Sequence, residues 1–327
     1  MCSAAALRWR PLVPADVPAM TTLMAQIEES DHYGWHFDAD FLARWLAEPM
    51  IDLGRGSTAA FDADRMVAVG VLAARSEADP VHAMRYEGGV HPGYRGSGLG
   101  SALLDWAVSA AVPLHLSRFP GRPLEVQCGF PESDRAAAAL FGQHGFTPVR
   151  YSRAMTRGLD RAGLPPVRVP EGYEIIPYRA DLDEAMRVAK NEAFRDHWGV
   201  TPTPPEVWRS QFTGREFCPG LSPLAVDPAT GQIVGLIVTH LRTGHTAATG
   251  RRDAHLADVA TLRQARGRGI ATALLATTLH AACDAGFDTA SLNVDAENST
   301  GALQVYEKSG FEVVDTWVAY GRAVASE

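Results

Sequence analysis

The stretch Arg266-Gly267-Arg268-Gly269-Ile270-Ala271-Thr272-Ala273-Leu274-Leu275 decides how the rest of the chain is read. An apolar, strand-like segment, 254–261, precedes it. A long segment with helical spacing, 267–285, contains it, with Ala271, Leu274, Leu275, Thr278 and Leu279 at the repeat. A helix start carries unpaired N–H groups and the positive end of the macrodipole. Glycines there let the backbone approach a bound phosphate with no Cβ in the way. The stretch therefore reads as a phosphate or pyrophosphate loop at a strand-to-helix turn. It occurs twice. Arg95-Gly96-Ser97-Gly98-Leu99-Gly100-Ser101-Ala102-Leu103-Leu104 repeats the pattern at an offset of 171 (95 to 266).

Two further anchors keep the same order. Leu140-Phe141-Gly-Gln-His-Gly145-Phe146 answers Val305-Tyr306-Glu-Lys-Ser-Gly310-Phe311 at an offset of 165 (141 to 306). Ala19-Met20 answers Ala185-Met186 at an offset of 166 (20 to 186). A period this long is too great for a solenoid and indicates domain duplication. The Pro- and Gly-rich segment around 158–172 lacks helical or strand periodicity. The expected organisation is a first domain, 1–157, a linker, 158–171, and a second domain, 172–327. In the second half the pattern predicts a strand at 173–178, a helix at 181–194 and a short helix at 206–212. Strands follow at 224–226, 232–241 and 254–261, then the long helix. A strand at 290–294, a helix at 299–309 and strands at 311–314 and 317–323 complete it. The fold class is α/β in the α+β sense: two tandem domains, each a mixed, mostly antiparallel sheet flanked by helices.

Composition narrows the partners. The 327 residues hold 30 Lys plus Arg against 38 Asp plus Glu, for a net charge of −8. No basic run stands out, which argues against nucleic acid, and the acidic net charge weakly favours a cationic acceptor. The four cysteines (2, 128, 218 and 283) form no C-x-x-C pair, which argues against a zinc site or disulfide framework and fits a reducing cytoplasm. The apolar runs at 66–74 and 233–239 are far short of the ~20 residues of a membrane helix. Arg8 and Arg10 interrupt the place where a signal peptide needs its apolar stretch.

The loop lacks the Gly-Lys-Ser/Thr of a Walker motif and the third glycine spacing of a dinucleotide fingerprint. It does resemble Q/R-x-x-G-x-G/A, the acetyl-CoA signature of the GNAT N-acyltransferases, here as Arg95-x-x-Gly98-x-Gly100 and Arg266-x-x-Gly269-x-Ala271. The segment from Leu292 to Phe311 is similar to the family's next block. The resemblance covers nearly the whole chain twice and points to tandem GNAT proteins of the mycothiol synthase-like kind. It implies two GNAT-type domains that bind acetyl-CoA or another acyl-CoA. The strand-end backbone would be Gly88, Gly89 and Val90, and Val259, Ala260 and Thr261. The pyrophosphate cradles would be Arg95, Gly96, Ser97, Gly98, Leu99, Gly100 and Ser101, and Arg266, Gly267, Arg268, Gly269, Ile270, Ala271 and Thr272. Splayed fourth and fifth strands would admit the pantetheine arm.

Acyl transfer from a thioester to an amine needs a proton taken from the amine, a polarised carbonyl and a proton for the thiolate. The resemblance assigns the acid to Tyr306, which would otherwise be a half-buried helix tyrosine. Asn298 matches a coenzyme-binding asparagine, or it caps the helix at Ser299. The first half has Phe141 at the acid position and no counterpart of Asn298, yet keeps a complete loop. That half is expected to hold coenzyme without turnover. The base is open among Asp258, His255, His240, Asp295 and Glu297, with Asp258 preferred. Arg195-Asp-His197-Trp198, and His32-Tyr-Gly-Trp35-His36 in the first half, stand where such folds place acceptor loops. The leading function is an acyl-CoA-dependent N-acyltransferase acting directly on a small-molecule amine. A non-catalytic acyl-CoA sensor and a protein N-acetyltransferase are the alternatives. Oligomeric state is not legible.

Overall fold

The computed structural model describes residues 7–297 and 301–325. The chain divides into two units, one of residues 1–151 with 317–327, the other of residues 152–316.

Unit 1 begins with β1 (Arg8–Arg10), α1 (Val17–Asp31), α2 (Ala39–Leu46) and a single turn, α3 (Leu53–Gly56). The strands β2 (Ser57–Asp62), β3 (Arg65–Ala74) and β4 (His82–Val90) follow as an antiparallel run. Next come α4 (Leu99–Leu116), β5 (Leu124–Pro131), α5 (Arg135–Gln143) and β6 (Thr147–Gly158). Side chains alternate across a strand, and here both faces are covered. Ala59, Phe61, Val69 and Val71 pack with Leu23, Ile27 and Leu42 of α1 and α2. Ala60, Ala68, Leu72 and Met84 pack with Leu103, Leu104 and Ala107 of α4. α4 is also the one helix among the described residues long and apolar enough to cross a membrane, a length the sequence reading passed over. Its buried Leu99, Leu103, Leu104, Ala107, Ala111 and Leu114 face this core.

Unit 2 contains β7 (Glu174–Ile176), α6 (Asp183–Ala193), α7 (Pro205–Thr213), β8 (Leu224–Asp227), β9 (Gln232–Leu241) and α8 (Thr243–Thr249). It continues with β10 (Asp253–Thr261), α9 (Ile270–Asp284), β11 (Thr289–Asp295) and α10 (Ala302–Lys308), and the last described element is β12 (Glu312–Val324). The strand order is β1-β2-β3-β4-β5-β12 in unit 1 and β7-β8-β9-β10-β11-β6 in unit 2. Every pair in these runs is antiparallel except β4 with β5 and β10 with β11. The mixed, mostly antiparallel sheets flanked by helices are those expected from the sequence.

Three features differ from the sequence expectations. The strands expected at 311–314 and 317–323 are one continuous strand, β12, and α8 was not foreseen. The last strands are also exchanged. Residues 152–158 of β6 lie against β11 in unit 2, whereas residues 317–324 of β12 lie against β5 in unit 1. The Pro- and Gly-rich segment 158–171 therefore falls inside unit 2.

Candidate active site

In both units the parallel pair opens partway along. β4 pairs with β5 from His82↔Leu124 to Arg85↔Gln127, and β10 with β11 from Asp253↔Thr289 to His255↔Ser291. Beyond those residues β4 and β10 keep only their antiparallel neighbours. Gly88, Gly89 and Val90, and Val259, Ala260 and Thr261, thus have one strand edge turned to a gap. In unit 1 the two glycines answer close packing: a Cβ at Gly88 would stand 2.6 Å from Val69 O, and one at Gly89 2.6 Å from Ile27 Cδ1.

The glycine loops sit at the end of that edge. Gly96 and Gly98 have φ of 74° and 86°, and Gly267 and Gly269 have 74° and 84°. The two loops thus share one left-handed backbone, which glycine adopts without cost. Neither Gly98 nor Gly269, the N-caps of α4 and α9, offers a side-chain cap to the first turn. A Cβ at Gly96, Gly98 or Gly267 would meet nothing within 4 Å, so open space lies over the loop. Uncapped N–H groups facing open space fit the pyrophosphate of an acyl-CoA. Ser101 and Thr272 lie in those first turns, and Leu99 and Ile270 bury their side chains in the core. The third motif position is explained by packing. A Cβ at Gly100 would stand 2.8 Å from Leu140 Cδ2; the second copy of the repeat has alanine, Ala271, at this position and the shorter Val305 where the first has Leu140.

The motif arginines brace the loop. Arg95 donates to Val90 O at 3.3 Å and to both carboxylate oxygens of Asp31, the last residue of α1, at 2.7 and 2.6 Å. Arg266 donates to Thr261 O at 3.1 Å and to O of Ala193, the last residue of α6, at 2.9 Å. Ser97 Oγ donates to Tyr94 O at 2.5 Å, and Arg268 to the Tyr173 hydroxyl at 2.7 Å.

A β-bulge separates the two units chemically. The β10–β9 register shifts between Leu256 and Asp258, and β4 has no such shift against β3. A spacing of three would set His255 and Asp258 on opposite faces of a regular strand. The extra residue, Ala257, brings them to the same face, opposite His240 and Val238 of β9. Burial raises the Asp258 carboxyl above its ordinary range, opposed by Lys190 and His240. Lys190 is buried on α6 and donates to Thr203 Oγ1 at 2.7 Å. His255 Nδ1 lies 3.0 Å from Ser291 Oγ. Ser291 Oγ donates to Asp253 Oδ2 at 2.5 Å, and Thr289 Oγ1 to Asp253 Oδ1 at 2.8 Å. Sequence reasoning missed Ser291 and Asp253, whose only signal is their alignment across a parallel pair. In unit 1 the last residue before the opening is Arg85, ion-paired to Glu87.

Tyr306 is buried on α10, and its hydroxyl has no hydrogen-bond partner among the described residues. Burial pushes its phenol upward, so it stays protonated at neutral pH. Phe141 occupies the matching place in unit 1 and packs 5.2 Å from Phe130 and 5.0 Å from Tyr320, centroid to centroid. Tyr33 and Trp35 also meet Phe130 edge to face, at 6.1 and 5.7 Å between centroids, beyond the last residue of β5 paired with β4. Asn298 lies outside the described residues. In unit 2 the loop holding His197 and Trp198 is tied near the glycine loop by Asp196, which accepts from Arg263 at 2.5 Å.

Opened strands that end on an uncapped glycine loop define an acyl-CoA-binding transferase fold, present here in two units. The acetyltransferase (GNAT) family model matches residues 184–311, and an acetyltransferase (GNAT) domain model matches residues 58–148. A mycothiol acetyltransferase of Nocardioides sp. is 30% identical over 250 residues, covering 71% of this chain and 79% of that protein. One from Mycolicibacterium vanbaalenii is 32% identical over 246 residues, covering 71% and 72%. A GCN5-related N-acetyltransferase from Sphaerobacter thermophilus superposes with a TM-score of 0.77 at 28% identity, covering 98% of this chain and 97% of that one. A tandem GNAT protein from the clavulanic acid biosynthesis pathway shares the fold, with a TM-score of 0.73 at 22% identity over 98% and 99%. The chain belongs to the GNAT acetyltransferase family, as an N-acetyltransferase with two such domains in tandem.

Proposed function

We propose that unit 2 moves an acetyl group from acetyl-CoA to the amine of a small molecule by direct attack, and that unit 1 holds a second acetyl-CoA without consuming it. The coenzyme supplies the activated thioester; the protein positions it and handles two protons. The observation that carries the reading is the contrast at matching positions. Unit 2 has Tyr306 as a protonated hydroxyl and the carboxylate of Asp258 on the opened strand. Unit 1 has Phe141, which has no proton to give, and the Arg85–Glu87 ion pair. Tyr33 and Trp35 pack over the opened end of β5 there, which further disfavours an acceptor in unit 1. The similarity to mycothiol acetyltransferases supports an acceptor of the mycothiol kind.

In this reading the N–H groups of the residue 266–272 loop hold the pyrophosphate, and Val259 to Thr261 align the pantetheine arm. Tyr306 protonates the departing thiolate. Thiol release, followed with acetyl-CoA and a panel of small amines beside peptide amines, tests the assignment. Turnover on small amines and none on peptides is expected. Turnover on peptides alone would make the chain a protein acetyltransferase.

A further inference from the structure

We propose that His255 is the proton acceptor of the transfer reaction in unit 2, and that Ser291 and Asp253 are positioning residues that fix its tautomer. The proposal rests on unit 2 being the transfer site and decides what the sequence left open, the identity of the base.

The argument begins with one hydroxyl proton. Ser291 Oγ stands 2.5 Å from Asp253 Oδ2 and 3.0 Å from His255 Nδ1. A carboxylate only accepts, and a serine has one proton to donate. That proton goes to Asp253, so the serine oxygen must accept from His255. Nδ1 therefore carries the imidazole hydrogen, and the lone pair lies on Nε2. Asp253 is itself held by Thr289 Oγ1 at 2.8 Å, with Arg242 Nη1 at 3.9 Å. Asp253 is buried, so the relay does not dissolve into solvent.

Position supplies the second half of the argument. His255 is the last residue of β10 paired with β11, so it stands at the point where the strands part. The bulge at Ala257 sets it on the same face as Asp258. The charged and titratable groups that act on it are His240 on β9, Arg242 just beyond β9 at the start of α8, and Asp253 on β10; Asp258, on the same face of β10, in turn faces His240 and Lys190 of α6. Burial, with Arg242 and His240, holds the ring below the ordinary imidazole range, and Asp253 opposes them. The ring is then neutral at pH 7 and open to a proton. Unit 1 places Arg85 at this point, and a guanidinium cannot accept one.

The chemistry balances. The amine nitrogen forms the C–N bond to the thioester carbonyl, and its proton passes to His255 Nε2. The C–S bond breaks, and the thiolate takes the proton of Tyr306. Proton exchange with solvent returns both groups to their starting state.

The first test is the nitrogen NMR spectrum of histidine-labelled full-length protein, which reads the tautomer without turnover. A neutral ring with hydrogen on Nδ1 at pH 7 is expected, and Ser291→Ala should release that preference. A ring with hydrogen on Nε2, or a charged ring, overturns the proposal. The second test is the pH profile of transfer, with acetyl-CoA and glucosamine, spermidine and methoxyethylamine as probe amines. His255→Gln should lower turnover ~10²–10⁴-fold and abolish the acid limb, with coenzyme affinity unchanged. Asp253→Asn should move that limb to lower pH, because the carboxylate raises the ring's proton affinity. A purely structural role would lower the rate evenly across pH. Loss of the acid limb in Asp258→Asn and its survival in His255→Gln would overturn the assignment. Wild type that binds acetyl-CoA yet releases no thiol with any amine would defeat the transfer reading instead, and the NMR result would still stand for or against the tautomer.

Discussion

Arg85 Nε lies 2.9 Å from Glu87 Oε1, and the two side chains close one side of β4 at the point where it leaves β5. Both are partly exposed, so the pair contributes little stability. Its consequence is chemical. The same point of β10 carries a histidine, and the following carboxylate, Asp258, is reached only through a bulge. Unit 1 thus departs from unit 2 at the position proposed to accept a proton and, with Phe141, at the one proposed to donate it. Its loop nevertheless keeps both left-handed glycines, as the proposed binding without reaction requires.

The two loops allow a matched comparison. Gly98 and Gly269 share φ of 86° and 84°, so valine imposes the same backbone strain at each, roughly 1–2 kcal/mol or more. Gly269→Val should eliminate transfer. Gly98→Val should keep substantial activity and mainly lower the melting temperature, because a bound coenzyme stabilises its unit by ~2.7 kcal/mol at 100 times its dissociation constant. Thiol release and thermal melts of both variants decide it, and the reverse pattern would move the active site to unit 1.

Tyr306→Phe tests the acid. The phenol is buried and raised in pKa, so it remains a donor throughout the neutral range. Removing its oxygen should lower turnover by ~10²–10⁴ with little change in coenzyme affinity. Calorimetric binding beside single-turnover rates separates the two effects. Full turnover in the variant, with chemistry limiting, would place the acid elsewhere.

The glycine loops and the repeat were legible because backbone demands leave a residue signature: positive φ selects glycine, and glycine at the N-cap leaves the first helical turn without a side-chain cap. The bulge was not legible. Leu256-Ala257-Asp258 has nothing to mark an extra residue, and without the bulge His255 and Asp258 would be read as facing apart. The strand exchange was equally hidden. An alternating strand gains the same ladder bonds and apolar contacts from either copy of a repeat, so β6 and β12 read as belonging to the halves that precede them in sequence. Ser291 and Asp253 lie 38 residues apart and meet only because a parallel pair aligns them.

The buried His82 should make unit 1 acid-sensitive. His82 and His115 are both 0% exposed, their Nδ1 atoms lie 2.9 Å apart, and neither Nε2 has a partner. Burial pushes His82 down to about 4, and His115 and Arg118 add to it. An unfolded histidine titrates near ~6.5. The folded value lies below the unfolded one, so the stabilisation is complete above ~6.5 and is lost as pH falls towards about 4. The loss should be on the order of 2–4 kcal/mol. Denaturant melts at several pH values should show this slope in wild type and a flatter one in the His82→Leu, His115→Leu double variant. Equal slopes would mean that His82 is not the titrating element.

The exchanged strand makes a prediction about the far end of the chain. Residues 317–324 pair with all of β5, and they bring Val318 and Tyr320, 2% and 7% exposed, into the unit 1 core beside Phe141. Truncating a buried aromatic residue alone costs roughly 3–5 kcal/mol, against a domain stability of about 5–15 kcal/mol. Ending the chain after Thr316 removes that aromatic, a buried valine and an eight-residue ladder together. It should unfold unit 1, although the deleted residues are more than 185 positions beyond β5 in sequence (131 to 317). Unit 2 keeps its own strands, including β6 against β11. Hydrogen exchange of the shortened chain should therefore show lost protection across β2 to β5 and retained protection across β9 to β11. Protection lost first in β9 to β11 would mean that β12 belongs energetically to the half that encodes it.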